Sequence, residues 1–240
     1  MNLIFIRHAE PDYSIDSLTE KGWKEAEILS HRTAKWDIKD IYCSPLGRAR
    51  DTASFTLKAL NREAIIHDWL KEFYVPVKDP FTGETRIPWD LMPEWWTTQE
   101  AFYDKDDWRD HPLMQTGPVL KEYESVRTGI DKILAEHGYV RNGNCYDVVK
   151  SNDDTLVFFC HLGVTFTMLN HLLGLSAPLL WHSCFVAPSS VTILTTEERN
   201  PKVAHFRLKT LGDTAHLYVE GEPASDSGFF GHGFEDASVK

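Results

Sequence analysis

The sequence predicts an α/β fold with a mostly parallel central sheet, and three observations carry that prediction. Leu3 to Ile6 is an apolar run of branched and aromatic residues, the composition of a strand buried on both faces. Thr155 to Cys160 repeats the pattern, and both runs end in histidine: His8, behind Arg7, in the first and His161 in the second. Tyr42 and Cys43 close a further short strand that runs straight into a helix start. Polar residues at the carboxyl ends of buried strands sit where open α/β sheets place their chemistry.

Taken in order, the first strand is cut off by Arg7 and His8, and Pro11 forbids a regular continuation. Residues 19–32 read as a helix capped by Thr19, with Trp23, Ala26 and Leu29 on one face. Gly22 costs that helix stability, so it is expected to admit the close approach of another backbone. After the Tyr42–Cys43 strand, Ser44 is the expected N-cap and Pro45 the first residue of a helix reaching Leu60. Its apolar stripe is Ala49, Ala53 and Leu57, while Arg48 and Arg50 compete as anion ligands near its start. Ala64 to Ile66 is a third strand-like run, followed by Trp69-Leu70-Lys71-Glu72.

From Tyr74 to about Leu113 the composition changes. Prolines at 76, 80, 88, 93 and 112 break up any long element. Four of the eight tryptophans fall here (Trp89, Trp95, Trp96 and Trp108), joined by Phe102 and Tyr103. These aromatics either shape a pocket or make the insertion's own small core. Between Val75 and His111, nine acidic residues face four basic ones.

A helix from about Pro118 to His137 follows, ended by Gly138. The Asn142-Gly143-Asn144 and Asn152-Asp153-Asp154 clusters mark turns around a short Tyr146–Val149 segment. Beyond His161, Val164 to Leu173 reads as a helix ended by Gly174, its amino end aiming backbone N–H groups at an anion. Ser190 to Thr196 and Val203 to Leu211 read as strands joined by the charged turn Glu197–Pro201. The last twenty residues carry Phe229, Phe230 and Phe234 among glycines, a tail that is either mobile or docked by its aromatics.

Four strand ends thus offer Arg7, His8, Arg48, Glu72 and His161. Two histidines, two arginines and one carboxyl are what phosphoryl transfer through a phosphohistidine needs. His171 and His182 stand outside this set and are expected to be structural. Cys160 lies inside an apolar run, which suits inert core rather than a nucleophile.

In its ordered motifs the chain resembles the histidine phosphatase superfamily, which includes the cofactor-dependent phosphoglycerate mutases. The family's Arg-His-Gly is Arg7-His8-Ala9 here, with Ala in place of Gly. Leu18-Thr19-Glu20-Lys21-Gly22 through Ala26 matches a second motif, and Ser44 to Ala53 a third, with Arg48, Ala49, Thr52 and Ala53 in place. The acid falls on Glu72 and the second histidine motif on His161-Leu162-Gly163-Val164.

The resemblance implies a three-layer α/β/α domain over residues 1–220, with the insertion at about 74–113 as a lid and 221–240 as a tail. It selects Arg48 over Arg50, and it makes His216 part of a late stretch that closes the core. It implies a metal-independent phosphatase without cofactor. In that enzyme His8 attacks phosphorus, Arg7, Arg48 and His161 hold the phosphoryl group, and Glu72 serves as acid and base. The alternatives are mutase-type transfer and a relic that binds phosphorylated ligands without turnover. Mutases of the family place an Arg after the acid, where this chain has Phe73, and carry Gly-Glu-Ser-x-Trp-Asn where it has Ala9 to Ser14.

The formal net charge of −11 argues against nucleic acid and anionic membrane as partners, and the resemblance implies a small phosphorylated substrate. The opening apolar run is too short for a signal sequence, and no stretch reaches the length of a membrane span. Cys43, Cys145, Cys160 and Cys184 form no close pair, which suits a reducing cytoplasm. Oligomeric state is not legible.

Overall fold

The alternation of side chains along the first strand already sets the layers. In a computed structural model, which describes residues 1–229, β1 (Asn2–Arg7) turns Leu3 and Phe5 to one side and Ile4 and Ile6 to the other. Both sides are buried, so each needs its own cover of helices. A small hairpin follows, β2 (Pro11–Asp12) with β3 (Ser17–Leu18), and then α1 (Glu20–Thr33), β4 (Asp40–Cys43), α2 (Gly47–Leu60) and β5 (Ile65–Ile66). The insertion holds a second hairpin, β6 (Val77–Lys78) with β7 (Thr85–Arg86), the single turn α3 (Pro93–Trp96) and several 3-10 turns. After it come α4 (Val119–Glu136), β8 (Tyr139–Asn142), β9 (Cys145–Val148), β10 (Thr155–Cys160), α5 (Leu162–Leu173) and α6 (Ala177–Ser183). The described chain ends with β11 (Val191–Asn200), β12 (Val203–Asp213) and α7 (Ala215–Val219).

The eight-stranded sheet has the order β5-β4-β10-β1-β11-β12-β9-β8. Its β5-β4-β10-β1 half is parallel, and the remaining strands extend it antiparallel. Ile4, Ile6, Ile41, Val157 and Phe159 pack with Leu29, Ala49 and Ala53 of α1 and α2. Leu3, Phe5, Tyr42 and Phe158 pack on the other side with α4, α5 and the insertion. There Phe158 stacks between Phe5 and Tyr42 at centroid spacings of 5.1 and 5.0 Å, contacts worth about 0.5–1.5 kcal/mol each beyond their burial. The expected three-layer α/β/α arrangement is therefore present. No helix among the described residues is long and apolar enough to cross a membrane.

Thr19 caps α1 as expected, accepting from the Gly22 N–H at 3.0 Å. A Cβ on Gly22 would lie 2.1 Å from the Glu10 carbonyl oxygen, so the close backbone approach expected there is real. Several readings need correction. Helix α2 begins at Gly47, not Pro45, and its N-cap position is Leu46. The Ser44 hydroxyl accepts from the Leu46 N–H at 3.3 Å, before the helix, and its stronger contact is with His161. The charged segment Glu197 to Asn200 is strand, because β12 pairs with it through Glu197↔His205 and Asn200↔Val203, and only Pro201 and Lys202 make the turn. Tyr139 to Asn142, which carries no strand signal of its own, pairs with β9 as a hairpin around Gly143-Asn144. Helix α6, capped by Ser176, was also missed. Of the expected tail, Phe230 and Phe234 lie outside the described residues.

The three histidines expected to be structural are buried or half-buried and bonded. His171 Nε2 lies 2.8 Å from Asp131. His182 donates from Nδ1 to the Pro178 carbonyl at 2.7 Å and accepts the Leu91 N–H at 3.3 Å. His216 accepts from Arg32 at 3.4 Å and contacts Ser189 Oγ at 3.3 Å. Burial pushes His182 and His216 down to about 4, helped at His216 by Arg32. Between pH 6.5 and about 4 the unfolded chain therefore binds protons that the folded chain refuses, and stability falls as pH falls. Calorimetry should show the melting temperature dropping across that window, by about 2–4 °C per kcal/mol lost. The drop should be smaller in His182→Gln and His216→Gln, and a flat wild-type profile there would refute the assignment.

Candidate active site

Three neighbouring parallel strands end at one place. The order β4-β10-β1 sets Ser44, His161 and His8 side by side, with the His8 N–H on the Cys160 carbonyl and the Ser44 N–H on the Phe159 carbonyl, both at 2.9 Å. The rings of His8 and His161 lie 5.1 Å apart between centroids, tilted by 57°. His8 is 2% exposed and donates from Nδ1 to the Ala9 carbonyl at 2.8 Å, which leaves Nε2 as the nitrogen with a free lone pair. Thr52 Oγ1 accepts the Ala9 N–H at 2.9 Å and donates to the Arg48 carbonyl at 2.7 Å, tying the segment after β1 to α2.

Both arginines are oriented by acceptors brought in from loops. Arg7, 4% exposed, donates to the Val186 carbonyl at 2.7 Å and the Ser227 carbonyl at 2.9 Å, with its guanidinium 5.5 Å from the Phe185 ring centre. Arg48 pairs with Asp16 at 2.6 Å, and the other Asp16 oxygen takes the Gly47 N–H at 2.7 Å. Asp16 thus serves the α2 terminus in place of the expected Ser44 cap. Arg50 is exposed, in keeping with the surface role expected for it.

Among the described residues, Arg7 Nε, Arg48 Nε and His161 Nδ1 are buried without a hydrogen-bond partner. Burial, reinforced by Arg7, holds His8 well below the ordinary histidine pKa. Burial and then His8, Arg48 and Arg7 do the same to His161. Both rings are therefore neutral at pH 7, and His8 is in the form that can attack.

Glu72 joins the group through the first turn of α5. Its Oε1 accepts from the Phe73 N–H at 2.8 Å and the Val164 N–H at 3.0 Å. Gly163 makes room for this: a Cβ there would lie 2.8 Å from Glu72 Oε1 and 2.8 Å from Trp89 Nε1. Trp89 donates to the Phe73 carbonyl at 2.9 Å, so the insertion reaches the site through this residue.

The other aromatics of the insertion serve packing. Trp95 meets Phe81, Phe102 and His111, and Trp96 stacks on His182 at 5.0 Å. Trp108 is fully buried between Tyr123 and Trp181.

All five residues singled out in the sequence lie around the carboxyl ends of β1, β10 and β4. Ser44 as a partner of His161 and Asp16 as a partner of Arg48 were not foreseen, while Trp89 is the one of the four insertion tryptophans that reaches Glu72. Ser44 and Asp16 are short polar residues in turns, where a local signal hides a tertiary partner. Cys160 is fully buried and its thiol is pushed up to about 12 by that burial, as inert core requires. A groove of about 510 Å3 between Trp69 and α4 is lined by none of the five.

The sequence profile of the Histidine phosphatase superfamily (branch 1) matches residues 3–209. A 2,3-bisphosphoglycerate-dependent phosphoglycerate mutase of Thermoplasma acidophilum is 34% identical over 79 residues, and the match spans 29% of this chain and 40% of that protein. Among solved structures, phosphoserine phosphatase of Entamoeba histolytica in complex with phosphoserine superposes with a TM-score of 0.60 at 20% identity, covering 90% of this chain and 98% of the other. Mycobacterial glucosyl-3-phosphoglycerate phosphatase gives 0.61 at 19% identity, covering 89% and 99%. At these identities the structural likenesses speak for the fold.

Gly163→Ala tests the packing of the site directly. The methyl group must displace Glu72, Trp89 or the start of α5, at a cost of about 1–3 kcal/mol by the usual overpacking range. A melting curve matching wild type within error would show that the close approach at Gly163 does not exist.

Proposed function

The chain belongs to the histidine phosphatase superfamily, branch 1, and from that premise we propose a phosphatase that hydrolyses phosphate monoesters through a phosphohistidine on His8. The observation that carries the reading is the Nδ1 bond of His8 to Ala9 O, which presents Nε2, neutral and buried, beside three nitrogens, of Arg7, Arg48 and His161, that have no partner among the described residues. Nε2 attacks phosphorus, the P–N bond forms as the ester P–O bond breaks, and one difficult displacement becomes two easier ones. Arg7, Arg48 and His161 stabilise the equatorial oxygens of the transferring group. Glu72 in its acid form protonates the leaving oxygen, then as carboxylate takes the proton of the water that cleaves the phosphohistidine. The cations of this scheme are side chains, so neither metal nor cofactor enters it.

Hydrolysis is favoured over mutase-type transfer by the residue after the acid. Phe73 is buried and stacks on Trp181 at 5.4 Å, so the position that family mutases give to a substrate-holding arginine belongs here to the core. The partial likeness to the Thermoplasma mutase keeps phosphoryl transfer to phosphoglycerate as the second reading. Binding without turnover is a third.

The insertion, read as a lid over the leaving-group side, carries an acidic excess and offers Trp89 next to Glu72. That composition favours monoesters with an apolar or aromatic portion over bisphosphates. The four cysteines are free, which fits a cytoplasmic enzyme.

Rapid quenching of enzyme mixed with substrate should trap acid-labile, alkali-stable phosphate on His8. His8→Ala should lose both label and turnover, the latter by roughly 10^3-fold or more. Retention of a substantial fraction of activity by that variant would remove His8 as nucleophile. Isomerisation of phosphoglycerate without ester hydrolysis would select the mutase.

Glu72→Gln separates the acid from the anion ligands. An alkyl phosphate with a poor leaving group should slow by about 10²–10⁴-fold, while an aryl phosphate with a good one suffers far less. Arg48→Lys should slow both alike, because it weakens contacts to the phosphoryl group itself. Equal losses on the two substrates in the Glu72 variant would take it out of the acid role.

A further inference from the structure

We propose that Ser44 is a positioning residue for phosphoryl transfer: its hydroxyl donates to Nε2 of His161 and so keeps the ring hydrogen on Nδ1, turned to the transferred group. The inference rests on the phosphatase reading and names a residue that reading does not use. Ser44 is fully buried at the end of β4, and its Oγ lies 2.8 Å from His161 Nε2. The Leu46 N–H reaches the same oxygen at 3.3 Å, so one lone pair is engaged as acceptor and the hydroxyl hydrogen is free to point at the ring.

The two nitrogens of an imidazole diverge. Strand β10 lies between β4 and β1, so a ring with Nε2 on the Ser44 side turns Nδ1 toward the His8 side. Nδ1 is the nitrogen that is buried without a partner among the described residues. A neutral His161 has one ring hydrogen, and its place decides what the site offers. On Nδ1 it donates to an equatorial phosphoryl oxygen. On Nε2 it would be spent on Ser44, and a lone pair would face the oxyanion.

The neutral form is enforced from every side. Burial, His8, Arg48 and Arg7 all oppose a second proton on His161. The tautomer is then the remaining variable, and Ser44 is the group in position to set it.

The test begins with the intact wild-type protein, labelled with 15N. His161 should show a hydrogen-bearing Nδ1 and an acceptor-type Nε2, with assignment from His161→Gln, and inorganic phosphate should perturb the Nδ1 signal. Ser44→Ala should release the preference and lower kcat for an aryl phosphate by about 10- to 100-fold with a smaller change in KM. Ser44→Thr, which keeps the hydroxyl, should recover part of the loss. A wild-type ring with its hydrogen on Nε2 overturns the proposal whatever the activity, and so does a folded Ser44→Ala enzyme with kcat within about twofold of wild type. Wild-type protein that hydrolyses no phosphate ester but holds the Nδ1–H tautomer removes the phosphatase reading and leaves the assignment to Ser44 standing.

Discussion

The constraint that governs this molecule is the burial of a positive centre at the end of a parallel sheet. An arginine taken out of water needs acceptors within reach, or the fold loses several kcal/mol. Arg7 finds them in the carbonyls of Val186, after α6, and Ser227, in the tail. Arg48 finds Asp16, from the hairpin between β2 and β3. Glu72 comes from the segment before the insertion and is itself held by the first turn of α5. Loops distant in sequence thus converge because each brings hydrogen-bond acceptors to a site whose histidines are kept neutral.

The same constraint explains which parts of the structure could be read in advance. A run such as Leu3 to Ile6 or Thr155 to Cys160 announces a doubly covered strand by composition alone, and the polar residue that ends it marks the sheet's carboxyl edge. Motif order then gathers five residues without any knowledge of distance. Residues whose partners are remote in sequence resist that approach. Ser44 before Pro45 has the local form of a helix cap, yet its strongest bond is to His161, 117 positions away. Glu197 to Asn200 looks like a charged turn, but β12 pairs with it and β9 pairs with β12, so the ladder overrides composition. In the insertion, composition marks four tryptophans alike, whereas the site is touched by Trp89, whose indole is fixed by a main-chain carbonyl.

Neutral histidines also shape how the site meets its ligand. On the proposed reading, a dianionic phosphate would bring oxygens to nitrogens that are buried without a partner among the described residues, so binding would recover a desolvation cost already incurred in folding. Preorganisation of this kind resides in the rigid strand ends. The loops above them are then free to differ in composition while the centre stays as it is.

Phe73 shows how far such divergence can go. Its ring lies in the core against Trp181, which in turn packs on the fully buried Trp108. An arginine introduced at this one position would enter an aromatic stack and place a charge among buried rings. Arginine at residue 73 alone is therefore expected to weaken the core. Trp181 and Trp108 would have to yield before, or together with, residue 73. On the phosphatase reading, the packing around residue 73 keeps a substrate-holding arginine out of that position, and a single exchange of charge does not supply one.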